Sequence, residues 1–268
     1  MMLKLHNWVV SHDVLIKIRL SVYVFTLCHL TIFAVYLLGL DYSKSKDPEL
    51  QLYVTLKWKL LTTWFNLLLG PYLILSIICD LYDWKVKGRS EYVKLMNKSR
   101  HFIFSSILGP VTMFGDILFW RLYSKDKRLL MPLSAEEYIS IWNHHSMHTV
   151  SLLFVLFELV CVPRRRPKYM KPGIITLTSF INIYTCVCIY SVLNGEYVYP
   201  LLRMLPAFKL VVAFLYMHVA NLFCYTGQWI IVDMVWVNGE KKNRLIDTRE
   251  RCRHRVPKQL RDKEASSS

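Results

Sequence analysis

The sequence predicts an all-α fold: a polytopic membrane bundle of six transmembrane helices, with both termini in the cytoplasm. Three observations predict it. Six apolar runs of roughly 20 residues are present, the length that crosses a bilayer as a helix. Hydrophobic residues make up 54% of the chain, yet 34 Lys and Arg stand against 19 Asp and Glu. Apolar spans joined by basic loops produce that combination, which soluble domains of this size rarely show. Finally, the basic residues are dense in alternate connections.

The runs cover residues 19–40, 58–81, 102–123, 142–162, 173–194 and 208–237. The first ends in "YLLGLDYSK" without a small-residue cleavage site, so it reads as a retained span and not a signal peptide. Each run must bond its backbone polar groups internally, which makes every one a helix. Pro71 and Pro110 fall inside the second and third runs and are expected to kink them. No internal repeat or separate soluble domain is visible. Residues 1–238 read as one six-span membrane domain, and residues 239–268 as a loosely ordered basic cytoplasmic tail. That tail is a solvated face by default, with contact to anionic lipid as the alternative. None of the seven cysteines forms a CxxC pair, so neither a disulfide framework nor a zinc knuckle is indicated.

The N-terminal stretch, the 2–3 and 4–5 loops and the tail together carry 24 Lys and Arg, and the other three connections carry 10. The positive-inside rule then places both termini in the cytoplasm. Spans 2 and 4 both start on the opposite side. Thr62, in "WKLLTTWFN", lies four residues into span 2, and His148, in "IWNHHSMHTV", lies six residues into span 4. At 1.5 Å rise per residue these are roughly 6 and 9 Å below their helix starts, near one level.

Each polar residue has an ordinary reading beside the functional one. A membrane threonine usually bonds its own i−4 carbonyl, and this applies to Thr62 and still more to Thr63. His148 alone divides between a helix–helix hydrogen bond and a functional base. His144 and His145, in the first turn, are expected at headgroup level within reach of water. His144 and His148 are spaced i,i+4, which permits metal coordination. The remaining histidines form no second cluster and HExxH is absent, so no metal is expected. Asp116 lies seven residues from the outer end of span 3, near the level of His148. It is a candidate to orient an imidazole, or else a carboxyl kept neutral or bonded to a neighbouring helix. Glu158 and Asp233, toward the cytoplasmic ends, read as interfacial.

"WKLLT" ending at Thr62, an apolar span ending "ICDL", then "ILFWRLYSKDKRLLMP", "SMHTV" around His148, and "VYP" at residues 198–200 together carry a resemblance. The chain from about span 1 to span 6 resembles the androgen-induced family of multi-pass membrane hydrolases, which includes the androgen-dependent TFPI-regulating proteins. The resemblance implies a threonine hydrolase of fatty acid esters of hydroxy fatty acids. It implies Thr62 as nucleophile and His148 as base. The sequence departs from the family where His144, His145 and Ser146 precede Met147. The family commonly has asparagine, histidine and glycine there, and losing the glycine alters how closely another backbone or an ester can approach.

The mechanism expected is attack by the Thr62 hydroxyl, deprotonated by His148, on an ester carbonyl, followed by hydrolysis of the acyl-threonine. No GxSxG elbow is present, so an ordinary α/β-hydrolase is excluded. Candidate partners for a substrate carboxylate are Lys57, Lys59, Arg128 and Arg203, with Lys125 and Lys127 near the same level. The partners expected are branched fatty acid esters and membrane lipids, with no nucleic acid and no cofactor. The compartment expected is the endoplasmic reticulum or the plasma membrane. The rival readings are a non-enzymatic membrane regulator, in which Thr62 and His148 only join helices, and a transporter with polar residues strung across the bilayer.

Overall fold

The structure, a computed structural model, describes residues 3–5, 8–10, 12–42, 44–85 and 91–237. The expected tail at 239–268 lies outside the described residues, as do His6, Cys252 and His254. Among the described residues, six helices are long and apolar enough to cross a membrane: His12–Leu38, Pro48–Lys85, Glu91–Lys125, Ile141–Cys161, Lys171–Leu193 and Ala207–Trp236. The protein is a multi-pass integral membrane protein. A two-stranded antiparallel hairpin, Leu3–Leu5 with Trp8–Val10, precedes the first span.

Two spans differ from expectation in ways that shape the site. The second is not continuous. Asp47 caps a short helix, Pro48–Leu56, by accepting the Glu49 N–H at 2.9 Å, with Pro48 in the first turn where a missing N–H costs nothing. A 3-10 turn follows over Lys57–Lys59, Leu60 is extended (φ −68°, ψ 137°), and a new helix starts at Leu61 and runs to Lys85. Thr62 therefore stands in the first turn of the membrane helix proper. The third span begins at Glu91, well before its apolar run. It passes through a π turn at Phe104–Leu108 immediately before Pro110. Proline cannot donate to the carbonyl one turn back, and the wide turn is how the helix absorbs that loss. Pro71 lies inside its helix, where it removes one rung of the ladder.

The bundle packs around aromatic residues. Tyr23, Tyr72, Phe104, Phe154 and Trp229 form one buried cluster, and Phe65, Phe114, Tyr184 and Tyr225 anchor a second. A third, with Leu50, Phe119, Met131 and Ala135, closes the end of the bundle that holds Thr62. The outward faces stay apolar, as with Phe25 and Phe223, at 71% and 76% exposure. A surface of that kind is stable against hydrocarbon and not against water.

Charged groups join the helices at the far end of span 2. Asp80 accepts Arg19 Nε at 2.7 Å and Arg100 at 2.8 Å, and all three are buried. Glu158 is buried beside them, contrary to its interfacial reading. It pairs with Arg164 and accepts the Tyr72 hydroxyl at 2.7 Å. A carboxylate near a helix end turns inward when an arginine and a phenol there can satisfy it. Asp233, by contrast, is partly exposed and pairs with Arg166 at 3.1 Å. Thr62 and Asp80 are 18 residues apart on one helix, so this charged layer lies roughly 27 Å from the Thr62 end.

Candidate active site

The break before Leu61 decides what Thr62 can do. In a continuous helix its hydroxyl would back-bond to the carbonyl of Trp58. Here that carbonyl accepts the Trp64 indole N–H at 3.0 Å, and it is the Thr63 hydroxyl that spans the break, donating to the Lys57 carbonyl at 2.7 Å. Among the described residues the Thr62 hydroxyl makes no hydrogen bond. It lines a cavity of about 310 Å³ together with His148.

The break is braced from the connection between spans 5 and 6. Gly195, at φ +75°, lets the chain turn back after the fifth span, a conformation L side chains rarely adopt. The Glu196 that follows pairs with Lys59 at 2.7 Å. Tyr199, the middle residue of the "VYP" motif, accepts the Leu61 N–H on its hydroxyl at 3.1 Å. Burial pushes that phenol up to about 12, so it keeps its proton at neutral pH. An otherwise unsatisfied N–H at the start of a helix thereby gains an acceptor.

His148 is buried and held on two sides. Its Nδ1 lies 2.9 Å from Asp116 Oδ1, and the Phe119 ring stacks on it at 3.6 Å with an 8° interplanar angle. The other Asp116 oxygen accepts the Ser151 hydroxyl at 2.6 Å. An imidazole whose Nδ1–H is engaged by a carboxylate presents a bare Nε2 lone pair, the form a general base needs. Gly115 brings span 3 against span 2 next to this group. A Cβ there would sit 3.0 Å from Phe65 Cε1, so any larger residue would push Phe65, three residues after Thr62, away from the helix of Asp116.

Sequence reasoning placed Thr62, His148 and Asp116 near one level, and the structure brings His148 and Asp116 into contact. It did not single out Ser151, although the i,i+3 spacing from His148 was a usable signal. Phe119, three residues after Asp116, was missed too. His144 departs from its expected wet position, being 1% exposed. A π turn over His145–Thr149 keeps His144 and His148 both inward, while His145 turns toward Trp120 and Trp142 and contacts Thr149 Oγ1 at 2.9 Å. Among the described residues, no three His, Cys, Asp or Glu are grouped to hold a metal.

The candidate carboxylate partners separate as well. Lys59 faces Glu196, Arg128 is forked onto Asp126 at 2.9–3.1 Å, and Arg203 lies 3.4 Å from Glu49. Lys57 lines the cavity, with Trp58 beneath its ammonium at 5.8 Å, and no acid pairs with it among the described residues.

A family model described as FAR-17a/AIG1-like protein matches residues 16–230, a stretch that holds all of these groups. The chain belongs to the FAR-17a/AIG1-like family. It is 29% identical over 165 residues to the androgen-dependent TFPI-regulating protein of Mesocricetus auratus, covering 61% of this chain and 70% of that one. The Mus musculus protein of that name is 27% identical over 183 residues, covering 68% and 74%. The androgen-induced gene 1 protein of Homo sapiens is 24% identical over 169 residues, covering 61% and 70%. No solved structure matches. In this family member, then, the matched region contains both the interrupted second span and the histidine of the fourth.

Proposed function

We propose that this FAR-17a/AIG1-like protein is an intramembrane ester hydrolase acting on fatty acid esters of hydroxy fatty acids. One observation carries the reading. A threonine hydroxyl without a hydrogen bond and a histidine oriented by a buried carboxylate face one mostly apolar cavity.

In this reading Thr62 Oγ attacks the ester carbonyl as His148 Nε2 takes its proton. The C–O bond to the alcohol then breaks, and the imidazolium returns the proton to the departing hydroxy fatty acid. Water attacks the acyl-threonine, again losing its proton to His148. The C–O bond to Thr62 then breaks, the imidazolium returns its proton to Thr62 Oγ, and the fatty acid leaves. Asp116 holds the imidazole tautomer and stabilises the imidazolium without taking up the proton. The chemistry requires no metal or cofactor.

The shape of the cavity supports a lipid substrate. Leu30, Phe33 and Leu37 of span 1 and Leu67 of span 2 form an apolar wall, and Leu67, at 60% exposure, sits at its outer rim. An acyl chain can therefore enter from the hydrocarbon. With both termini cytoplasmic, as the basic-residue asymmetry favours, the site opens toward the non-cytoplasmic leaflet.

Purified protein should hydrolyse a branched fatty ester. Thr62→Ala and His148→Ala should each lower the rate by at least about 10³-fold, while Thr62→Ser retains part of it. Hydrolysis by Thr62→Ala at the wild-type rate would overturn the assignment. No hydrolysis by the wild type would favour a regulator in which these residues only join helices.

A further inference from the structure

Two polar side chains beside the Thr62–His148 pair have no partner. His144 is buried, and neither of its ring nitrogens makes a hydrogen bond among the described residues. The Asn66 side-chain oxygen is likewise buried and unbonded. Both residues line the cavity that holds Thr62 and His148. Buried polar atoms nearly always find partners, so two unsatisfied side chains on one cavity wall point to a ligand that satisfies them.

Their positions narrow what that ligand atom is. Asn66 is four residues after Thr62, one turn along the same helical face. His144 is four residues before His148, also facing inward. The nucleophile and the base are thus each accompanied by one unbonded polar group. Among the described residues, no group packed against His144 bonds to it. The rings packed against it are Phe119 at 5.3 Å and Tyr123 at 5.1 Å, and the Tyr123 hydroxyl is already given to Glu136 at 3.3 Å. A neutral imidazole has one N–H to donate. The unbonded Asn66 atom is the amide oxygen, an acceptor, and a half-turn about the Cβ–Cγ bond puts the NH2 group in its place.

Resting on the hydrolase reading, we propose that His144 and, with its amide turned to present the NH2 group, Asn66 form the oxyanion site, donating to the ester carbonyl oxygen as Thr62 attacks it. In a cavity walled by hydrocarbon, developing negative charge has no water to stabilise it, and donors already in place act there with full effect. Without the substrate oxygen those donors have nothing to bond to.

The test is steady-state kinetics on a branched fatty ester with wild type, Thr62→Ala, His144→Leu, His144→Gln, Asn66→Leu and Asn66→Asp, each first shown to elute as the wild type does. His144→Leu and Asn66→Leu should lower kcat by about 10²–10³-fold, with KM changed by less than about threefold, since the contact forms mainly in the transition state. His144→Gln should recover at least about tenfold of that loss by restoring an N–H. Asn66→Asp has the same shape but presents an acceptor, and should be no better than Asn66→Leu. If a leucine variant does not elute as wild type, the near-isosteric Asn66→Asp and the donor-retaining His144→Gln decide. Asn66→Asp at the wild-type kcat, or His144→Leu and His144→Gln alike in rate, overturns the oxyanion site. If Thr62→Ala keeps the wild-type rate, the hydrolase reading fails and this inference with it. An inactive Thr62→Ala beside a His144→Leu at full kcat leaves the hydrolase reading standing and refutes only the oxyanion assignment.

Discussion

At the scale of single residues, the Asp116 carboxylate divides its two oxygens between His148 and Ser151. It is fully buried, so it stays in place only because both oxygens are bonded. Asp116→Asn presents an amide where the imidazole N–H should be accepted, and it allows the other tautomer or a flipped amide. It should lower kcat by about 10²–10⁴-fold without altering the preference among ester substrates. Ser151→Ala removes one bond to the same carboxylate and leaves the His148 contact intact. Its effect should be smaller, about tenfold, the low end for a hydrogen bond to a charged group, because the His148 contact remains. The two variants and their double mutant, assayed together, separate orientation of His148 from simple packing. If Asp116→Asn has wild-type kinetics, the carboxylate is a structural group only.

At the scale of elements, the interruption before Leu61 matters most, because it both frees the Thr62 hydroxyl and puts Lys57 at the cavity wall. The half-buried Lys57 is the candidate to meet the free carboxylate of the substrate, since a carboxylate will not follow its ester into hydrocarbon unpaired. Lys57→Gln should lower kcat/KM for a carboxylate-bearing branched ester by about two- to fivefold, the range of a partly exposed ion pair. The same variant should leave the methyl ester of that substrate unaffected. Equal losses on both substrates would remove Lys57 from recognition. The brace from the 5–6 connection belongs to this scale too. Lys59–Glu196 and the Leu61 N–H to Tyr199 contact tie the start of the broken helix to that connection.

At the scale of the whole molecule, the bundle has an end that holds Thr62 and His148 and a charged end. Arg19, Asp80 and Arg100 join spans 1, 2 and 3 at the charged end. Asp80→Asn would leave two arginines buried without their counter-charge, costing about 3–5 kcal/mol. The variant should unfold or aggregate in detergent at a temperature well below wild type while retaining a normal rate per folded molecule. Unchanged thermal stability would show that the arginines find other partners. Three of the basic residues that orient the chain, Arg19, Arg100 and Arg164, are buried and paired here, yet the asymmetry between sides survives without them. Both termini should therefore remain accessible to protease on sealed microsomes, and protection of either one would invert the topology.

The number of spans, their helical nature and the level shared by Thr62, His148 and Asp116 were legible in the sequence, because apolar run length and helical rise are local properties. The inward turn of His144, the burial of Glu158 and the ion pairs of Lys59, Arg128 and Arg203 were not. All but the Arg128 pair, which is made with Asp126 two residues away, depend on which residue of another segment stands opposite, and depth along a helix says nothing about rotation around it. The break at Leu60 was hidden for a related reason: "LKWKLLT" contains neither glycine nor proline, and the turn is held by Thr63, Trp64, Glu196 and Tyr199, two of them from the other end of the chain. The sequence by itself determined a six-span membrane protein with a threonine and a histidine at one level. Only tertiary packing decided that the threonine hydroxyl is free and the histidine is held by a carboxylate, because both follow from hydrogen bonds between segments the sequence does not place side by side.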